Sequence, residues 1–156
     1  MFNIVLLSPQ IPNNTGSIGR MCVNIGATLH IVKPIAFDID EKAVRRAGLD
    51  YWHKVDLRVW ESVEHFFGSN SIVQNAHFAT TKCTKTYFEA SYKVGDFLFF
   101  GSETKGIDEA LLQRYKEQNI TIPMSKEGRS LNLATSVGIV TYEALKQNYN
   151  HFKEQA

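Results

Sequence analysis

Polar side chains crowd the predicted start of a helix near the end of the chain, in the stretch EGRSLNLATSVGIVTYEAL. The crowded positions are Arg129, Ser130, Asn132, Thr135 and Ser136. Ser130 or Asn132 can serve as the N-cap, because a side-chain oxygen there accepts a hydrogen bond from a free backbone N–H of the first turn. A capping box does not explain the others, because neither residue has Glu or Gln three positions later. One cap uses one side chain, so the remaining polar groups need another explanation.

A second polar turn, GSETKGID, follows the apolar run Phe97–Phe100. Its glycines, Gly101 and Gly106, resemble those of a phosphate-binding loop, but Ile107 and Asp108 replace the lysine and the magnesium-binding hydroxyl of such a loop. A P-loop is therefore disfavoured, and the chain has no GxGxxG segment to support a dinucleotide site. The turn is compatible with a tight structural turn or with a backbone cradle for a neutral or cationic ligand.

A third polar segment, NNTGSIGRMCVNIG, predicts a helix that Asn13 or Asn14 can cap. Its apolar residues follow helical spacing at Ile18, Met21, Cys22 and Ile25. At about 100° per residue, Arg20 points nearly opposite this stripe. Gly16 and Gly19 thin the helix where another backbone or a ligand can approach. Arg20 is therefore either a solvated arginine or a functional one, and Cys22 is expected in the core.

Short apolar runs rich in β-branched or aromatic residues alternate with stretches of helical period. The predicted strands are Phe2–Leu7, Thr28–Val32, Val55–Val59, His77–Thr81, Phe97–Gly101 and Ile120–Met124. The predicted helices are Asn14–Ile25, Glu41–Ala47, Glu61–Phe67, Asp108–Gln118 and Asn132–Tyr149. This alternation predicts an α/β fold with a mainly parallel sheet flanked by helices. Ligands of such sheets bind beyond the carboxyl ends of the strands, where the three polar segments lie.

The composition fits one domain over residues 1–156, because 44% hydrophobic content at this length suffices for a core. The net charge of +1 disfavours a polybasic protein. We expect a cytoplasmic protein, because the sequence shows neither a signal peptide nor an apolar run of membrane-spanning length. Cys22 and Cys83 fit no disulfide framework, and the five histidines have no metal-ligand spacing, so we expect reduced thiols and no metal. The absence of GxSxG and of a carboxylate pair disfavours a hydrolase.

The segment KAVRRAGLDYWHK, Lys42–Lys54, interleaves four cations with Tyr51 and Trp52. Phosphate contact combined with base stacking requires this mixture of residues. A charged surface helix with a half-buried aromatic anchor explains the same composition, and the residues alone leave both interpretations open.

Three segments, NNTGSIGR, FFGSETKGI and IPMSKEGRSLNLATSVGIVTYEA, resemble in this order the three motifs of the SPOUT (SpoU-TrmD) RNA methyltransferases. The resemblance spans nearly the whole chain. With RRAGLDYW at Arg45–Trp52 and no separate RNA-binding extension, the chain is most similar to the small TrmL-like (YibK-like) branch of that family. The resemblance implies methylation of the ribose 2′-hydroxyl of the tRNA wobble nucleotide. It also implies a deep C-terminal trefoil knot that forms the S-adenosyl-L-methionine pocket, with S-adenosyl-L-homocysteine as the product.

The resemblance also assigns roles to residues. It assigns the cofactor to Thr80, Thr81, Gly101, Ser102, Glu103, Gly106, Ile122, Met124, Ser130 and Leu131. It assigns the reaction centre to Arg20, Ser130 and Asn132. The methyl group of this cofactor is already activated, so the enzyme must align it with a ribose oxygen and help remove a proton. Because arginine is a poor base with a pKa above about 12, we interpret Arg20 as a phosphate ligand that stabilises the developing alkoxide.

The expected substrate is the anticodon stem-loop of tRNA, and the expected partner is a second copy of the chain, because SPOUT proteins of this type are dimers. The candidate RNA contacts are Arg45, Arg46, Lys54, Lys126, Arg129 and Tyr142. The small-residue face of the C-terminal helix is consistent with close packing at a dimer interface. Other hypotheses are ribose methylation of another RNA such as rRNA, base methylation that depends on Cys83, a knotted RNA-binding module without catalysis, and a flavodoxin-like nucleotide-binding protein.

Overall fold

The computed structural model describes residues 1–40, 42, 50–71 and 75–156. Within them the strands are β1 (Asn3–Leu7), β2 (Thr28–Val32), β3 (Asp56–Trp60), β4 (Ala76–Ala79), β5 (Phe97–Phe100) and β6 (Asn119–Ile120). They form one sheet in the order β3-β2-β1-β5-β4-β6, and every pairing is parallel. The prediction of an α/β fold with a mainly parallel sheet is confirmed.

The helices of the described residues are α1 (Pro12–Ile25), α2 (Val63–Ser69), α3 (Glu109–Arg114), α4 (Leu133–Gln147) and α5 (Tyr149–Gln155). Single 3₁₀ turns occupy Trp52–Lys54, Tyr87–Glu89 and Lys116–Gln118. The predicted helix Glu41–Ala47 lies outside the described residues, apart from Lys42. The other predicted helices are present, with shifted ends.

Apolar side chains cover both faces of the sheet, as central parallel strands require. On one face α1 and α4 contribute Ile18, Cys22 and Val137 to a shared core. On the other face Phe66 of α2 and Leu112 of α3 pack on the strands. Cys22 is buried as predicted, and burial raises the pKa of its thiol to about 12. Both cysteines are free, which confirms the expectation of reduced thiols.

The start of α1 differs from the prediction. The helix begins at Pro12 with Ile11 at the N-cap position, so the assignment of Asn13 or Asn14 as the cap is wrong. Proline is favoured in the first turn because its fixed φ suits the helix and it has no N–H to leave unpaired. Ile11 has no side-chain acceptor for the free amides of the first turn. The group that accepts hydrogen bonds from the amides at this end of the helix is distant in the sequence.

The strand predicted at Ile120–Met124 is also shorter than expected, because β6 ends at Ile120. Beyond it, Thr121 forms only an isolated parallel bridge with Thr86. The chain therefore leaves the sheet before Pro123, and the next residues are free to line the edge of the sheet. After this connection, α4 begins at Leu133 and stops at Gln147, two residues before the predicted end.

Candidate active site

Loops at the carboxyl ends of β1, β4, β5 and β6 enclose a cavity of about 430 Å³. This volume lies within the range of pockets that hold small organic ligands. The cavity lining includes every residue that the resemblance assigns to the cofactor, namely Thr80, Thr81, Gly101, Ser102, Glu103, Gly106, Ile122, Met124, Ser130 and Leu131. Asn132 of the expected reaction centre also lines it. Residues from three distant segments of the sequence therefore meet at one place.

The carboxylate of Glu103 ties the turn after β5 to the start of α1. One oxygen accepts a hydrogen bond from the Gln10 backbone N–H at 2.8 Å. The other accepts from the Ile11 backbone N–H at 2.7 Å and from Asn14 Nδ2 at 3.2 Å. A carboxylate is stabilised at this end of a helix because free amides and the helix dipole make it positive. Glu103 thus supplies the anchor that Ile11 lacks, and its oxygens face the protein's own donors.

Gln10 and Asn14 extend this connection to the other polar segments. The Gln10 side-chain oxygen accepts from the Thr104 backbone N–H at 3.0 Å and from its hydroxyl at 2.8 Å. Asn132 Nδ2 donates to Asn14 Oδ1 at 3.0 Å. Sequence reasoning did not single out Gln10 or the contacts of Asn14, because these partners are about 90 or more residues away and leave no local pattern.

Asn132 is the N-cap of α4, since its Oδ1 accepts from the Thr135 backbone N–H at 3.2 Å. Of the two residues that could cap this helix, the structure therefore selects Asn132. Its side-chain N–H toward Asn14 makes the same amide a link between α4 and α1. The polar crowding that the sequence shows here is partly a capping and bridging arrangement, and Ser130 and Ser136 are left lining the cavity.

The turn after β5 is tight because of its glycines. A Cβ on Gly101 would lie 2.0 Å from the carbonyl carbon of Gly106, so no side chain fits. Gly106 has φ of 67°, a left-handed conformation that favours glycine. The turn is closed by a hydrogen bond from the Gly106 N–H to the Ser102 carbonyl at 3.0 Å. The interpretation as a tight structural turn is therefore confirmed, and this turn forms one wall of the cavity.

Apolar side chains form part of the remaining wall. Met124 and Leu131 are 41% and 40% exposed, although both are large and hydrophobic. Both line the cavity together with Ile122. An exposed apolar patch inside a concave site indicates a surface that a flat apolar group of a ligand can cover.

Arg20 stands apart from this cavity and is not among the described residues that line it. It is exposed on α1, and its guanidinium carbon lies 4.8 Å from the centre of the Tyr51 ring. The Tyr51 hydroxyl donates to the Gly16 carbonyl at 2.6 Å. Burial raises the pKa of the Tyr51 phenol, although the charge of Arg20 opposes this effect. The phenol is therefore protonated at neutral pH.

Tyr51 and Trp52 contact α1 at its glycines. A Cβ on Gly19 would lie 2.5 Å from the Trp52 ring, so Trp52 packs directly on the helix backbone. Trp52 is only 7% exposed, which makes it a structural anchor and removes it as a platform for base stacking. The approach at Gly16 and Gly19 is thus made by side chains of the same chain, not by a ligand.

The proposed RNA contacts have mixed positions. Lys54, Arg129 and Tyr142 are exposed but do not line the cavity. Arg45 and Arg46 lie outside the described residues. Lys126 is exposed in the connection that precedes α4. None of the described candidates therefore forms a wall of the cavity.

Other chemistry finds little support in the described part of the chain. No group of three or more His, Cys, Asp or Glu residues there is placed to hold a metal ion. Burial raises the pKa of the Cys83 thiol, with a backbone hydrogen bond at Lys85 and the charge of Lys85 acting in the opposite direction, which disfavours the thiolate that base methylation by this residue would need. Among the helices that are described, none combines the length and apolar character needed to cross a bilayer.

Known proteins share the sequence pattern and the fold of this chain. The profile of the SpoU rRNA Methylase family matches residues 1–142. The tRNA (cytidine(34)-2'-O)-methyltransferase of Escherichia coli (strain K12) is 43% identical over 148 residues, which cover 94% of this chain and 94% of that protein.

Two solved structures share the fold. One, described as a study of 2-OH methylation of the cytidine or uridine at position 34 of tRNA, has a TM-score of 0.88 and 36% identity, and the match covers 96% of this chain and 97% of that one. The SpoU methyltransferase AviRb of Streptomyces viridochromogenes, in complex with the cofactor AdoMet, has a TM-score of 0.76 at 22% identity, covering 95% of this chain and 60% of that one. With the profile matched over most of its length and a relative at 43% identity, the chain belongs to the SpoU rRNA methylase family, as its motifs predict.

Proposed function

We propose that this protein uses S-adenosyl-L-methionine to methylate the ribose 2′-hydroxyl of the wobble nucleotide, cytidine or uridine, in the anticodon stem-loop of tRNA. The names of its relatives support the reaction and the substrate. The observation that carries the proposal is that one cavity gathers all the positions expected to bind the cofactor. A tRNA substrate also fits a cytoplasmic protein.

The cavity suits S-adenosyl-L-methionine on chemical grounds. Ile122, Met124 and Leu131 offer apolar surface for the adenine, and the glycine turn offers backbone groups to its polar edges. When bound, this cofactor supplies an activated methyl group. S-adenosyl-L-homocysteine, which the same contacts hold, is the expected product and inhibitor.

The chain's own residues then align the acceptor. Asn132 has two side-chain N–H donors, and with one directed to Asn14 the other is available to a ribose oxygen. Ser130, at the same helix entrance, supplies a second polar contact. The bound cofactor would supply the methyl group, and the proton of the 2′-hydroxyl would pass to a phosphate oxygen or to a transiently neutral guanidinium. Arg20 binds the neighbouring phosphate and stabilises the developing alkoxide.

The separation of Arg20 from the cavity of its own chain supports a homodimer in which Arg20 serves the site of the partner. The exposed face of α4 offers a contact surface. Tyr142 is 49% exposed, and a Cβ on Gly138, four residues earlier, would meet nothing within 4 Å. These two residues lie on the same side of the helix. A second copy packing there would cover both.

Mutation of Gly138 tests the dimer. Gly138→Leu leaves an isolated protomer folded, because the site is open, but it obstructs a helix packed against α4. We expect sedimentation to show dimers for the wild type and monomers for this variant. Gly68→Leu, at an equally open position in α2, is the matched control and should leave the dimer intact. A dimer that survives Gly138→Leu contradicts this interface.

Mixed dimers test which chain supplies Arg20. Two inactive variants, Arg20→Ala and Asn132→Ala, are co-expressed with different tags and the heterodimer is purified. If each site combines residues of both chains, one of the two sites is intact and methylation returns. If each chain supplies its own Arg20, both sites stay damaged and the heterodimer is inactive.

We further propose that the connection between β6 and α4 completes a trefoil knot, as in the family that the sequence resembles. Residues 79–82, 100–107 and 121–133 all contribute to the lining of the cavity, which supports a crossing of the chain at this place. A crystal structure with S-adenosyl-L-homocysteine would trace the path. An unthreaded path would contradict the knot and leave the sheet unchanged.

The RNA surface is proposed from Arg45, Arg46, Lys54, Lys126 and Arg129, with Tyr142 contacting either the RNA or the partner chain. Each phosphate contact that is lost should lower the slope of log K against log salt by about 0.7–0.9. Lys54→Ala and Arg129→Ala are compared with Lys153→Ala, which removes an exposed lysine of α5 that is not among these candidates. An unchanged slope for both variants contradicts their assignment.

The reaction is tested with methyl-labelled S-adenosyl-L-methionine and tRNA from cells that lack this protein. We expect label in a 2′-O-methylated pyrimidine nucleoside at the wobble position, and its loss in Arg20→Ala and Asn132→Ala. Label in rRNA ribose or in a base would overturn the substrate. Binding of the cofactor and of RNA without methyl transfer would indicate the non-catalytic RNA-binding module. Binding of a flavin in place of the cofactor would indicate the flavodoxin-like alternative.

A further inference from the structure

The segment from Asp50 to Lys54 docks on α1 next to Arg20. Trp52 fills the space above Gly19, where no side chain on the helix would fit. The adjacent Tyr51 reaches back to α1, and its hydroxyl binds the Gly16 carbonyl at 2.6 Å. A 3₁₀ turn holds the segment, with the Lys54 N–H on the Tyr51 carbonyl at 2.9 Å. The Tyr51 ring is therefore fixed at both its backbone and its hydroxyl.

Arg20 lies on the face of this fixed ring. Its guanidinium carbon is 4.8 Å from the ring centre, within the distance of a cation–π contact. Arg20 is otherwise exposed, and an exposed arginine side chain samples many rotamers. The ring removes part of that freedom before any RNA arrives.

We infer that Tyr51 is a positioning residue for methyl transfer, and that its ring holds the Arg20 guanidinium in the orientation in which it meets the phosphate beside the acceptor ribose. This inference rests on the proposed function, in which Arg20 acts on the RNA. It gives Tyr51 a role that the proposed reaction does not otherwise assign to this residue.

Two other roles for Tyr51 fit the geometry less well. A base-stacking platform needs an open ring face, whereas this ring is half-buried and carries Arg20 on one side. A general base needs a phenolate, whereas this phenol is protonated and donates its proton to the Gly16 carbonyl. Holding a guanidinium requires only the ring and its fixed orientation, and both are present.

A double-mutant cycle separates positioning from a structural effect. Single-turnover methyl transfer at saturating cofactor is measured for Tyr51→Leu and Tyr51→Phe in wild-type and Arg20→Ala backgrounds. We expect Tyr51→Leu to lower the rate about 3- to 30-fold, as loss of a cation–π contact predicts. Tyr51→Phe keeps the ring and should lose less. If Tyr51 acts through Arg20, the Leu substitution has no further effect once Arg20 is removed.

Trp52→Phe is the matched control, because it disturbs the packing of the same segment and Trp52 has its contact at Gly19. Its effect on the rate should be the same in both backgrounds. The same fold-loss for Tyr51→Leu in both backgrounds would overturn the inference, as would an unchanged rate in the wild-type background.

A second measurement covers the case in which Arg20→Ala has no measurable rate. The ¹⁵N relaxation of Arg20 Nε is recorded in the full-length protein with and without Tyr51→Leu. A lower order parameter in the variant supports positioning, and an unchanged one overturns it. Wild-type protein that fails to methylate tRNA would instead overturn the proposed function, so the two failures are distinguishable.

Discussion

Two clusters in this molecule each connect distant segments of the chain through one side chain, but the chemistry of that side chain differs. The Glu103 cluster, at the cavity, consists of Glu103, Gln10, Ile11 and Asn14. The His30 cluster, in the core, consists of His30, Asn3, Trp60 and Phe66. In each, one side chain joins distant segments. The first uses a charged group with backbone donors at the edge of the fold, and the second uses an imidazole enclosed by aromatic rings.

The chemistry of each cluster suits its place. In the core, His30 Nδ1 accepts from Trp60 Nε1 at 3.1 Å, so Nε2 carries the proton and donates to Asn3 Oδ1 at 2.9 Å. Burial lowers the pKa of His30 to about 4, and the charge of Arg58 acts in the same direction. At the cavity, the Glu103 carboxylate joins two loops through hydrogen bonds and needs no apolar packing, so a ligand space can lie beside it. The comparison predicts that the core cluster contributes mainly to stability and the cavity cluster mainly to ligand binding.

The largest stability loss is expected at the core. His30→Ala removes a buried ring and leaves the Trp60 N–H unpaired, which should lower the free energy of unfolding by about 3–5 kcal/mol. Urea unfolding measures it. His30→Phe fills the space but leaves the same N–H unpaired, so it separates the two causes. Cofactor affinity of the folded fraction should be unchanged, and a large change in it would break the distinction between the clusters.

Glu103→Ala should have the opposite profile. Three donors lose their acceptor at a partly exposed site, so the loss of stability is about 1.5–3 kcal/mol. The turn after β5 is released from α1, and we expect weaker cofactor binding by calorimetry. Glu109→Ala removes an exposed carboxylate that pairs with Lys82 and should cost no more than about 1 kcal/mol. Equal effects of the two substitutions would contradict a special role for Glu103.

Gly19→Ala tests the contact that joins α1 to Trp52. The new methyl group would lie 2.5 Å from the ring, and overpacking of this kind costs about 1–3 kcal/mol. Gly68→Ala, in α2 with nothing within 4 Å of the new atom, should be neutral or stabilising by up to about 1 kcal/mol. Thermal unfolding compares them. A neutral Gly19→Ala would show that Trp52 is not held on the helix.

The last expected effect is a dependence of stability on pH. His30 has a folded pKa of about 4, below its usual 6.5, so the unfolded chain binds a proton more readily than the folded one. Its contribution to stability is present in full above about pH 6.5 and is lost as the pH falls toward 4. Unfolding at several pH values should show this slope, with less of it in His30→Phe. An identical slope in the variant would assign the effect to other groups.

Local patterns predicted most of the fold. The sheet class and the burial of Cys22 follow from periodicity, which the sequence displays directly, and neighbouring residues limited the cap of α4 to Ser130 or Asn132. The start of α1 does not follow from local patterns, because its anchor, Glu103, lies 92 residues away from Ile11. The early end of β6 also depends on a distant partner strand.

The candidate site divides in the same way. The positions expected to bind the cofactor came from the resemblance to the SPOUT family, and all of them line the cavity. The connection through Gln10 and the placement of Arg20 on Tyr51 were not, since both depend on contacts that only the folded chain creates. The segment Lys42–Lys54 had two interpretations, namely nucleic-acid contact and a surface helix with an aromatic anchor. For Trp52, only its burial in the structure distinguishes between them.

The bond between Asn14 and Asn132 has a consequence for the protein during its synthesis. Its two residues are 118 positions apart, and the acceptor in Glu103 is 93 positions from Gln10. A chain still growing on the ribosome therefore has its first motif exposed and its last one unmade, and no cavity exists. Under the proposed function, the protein therefore cannot engage a tRNA before the segment that contains Asn132 has been made.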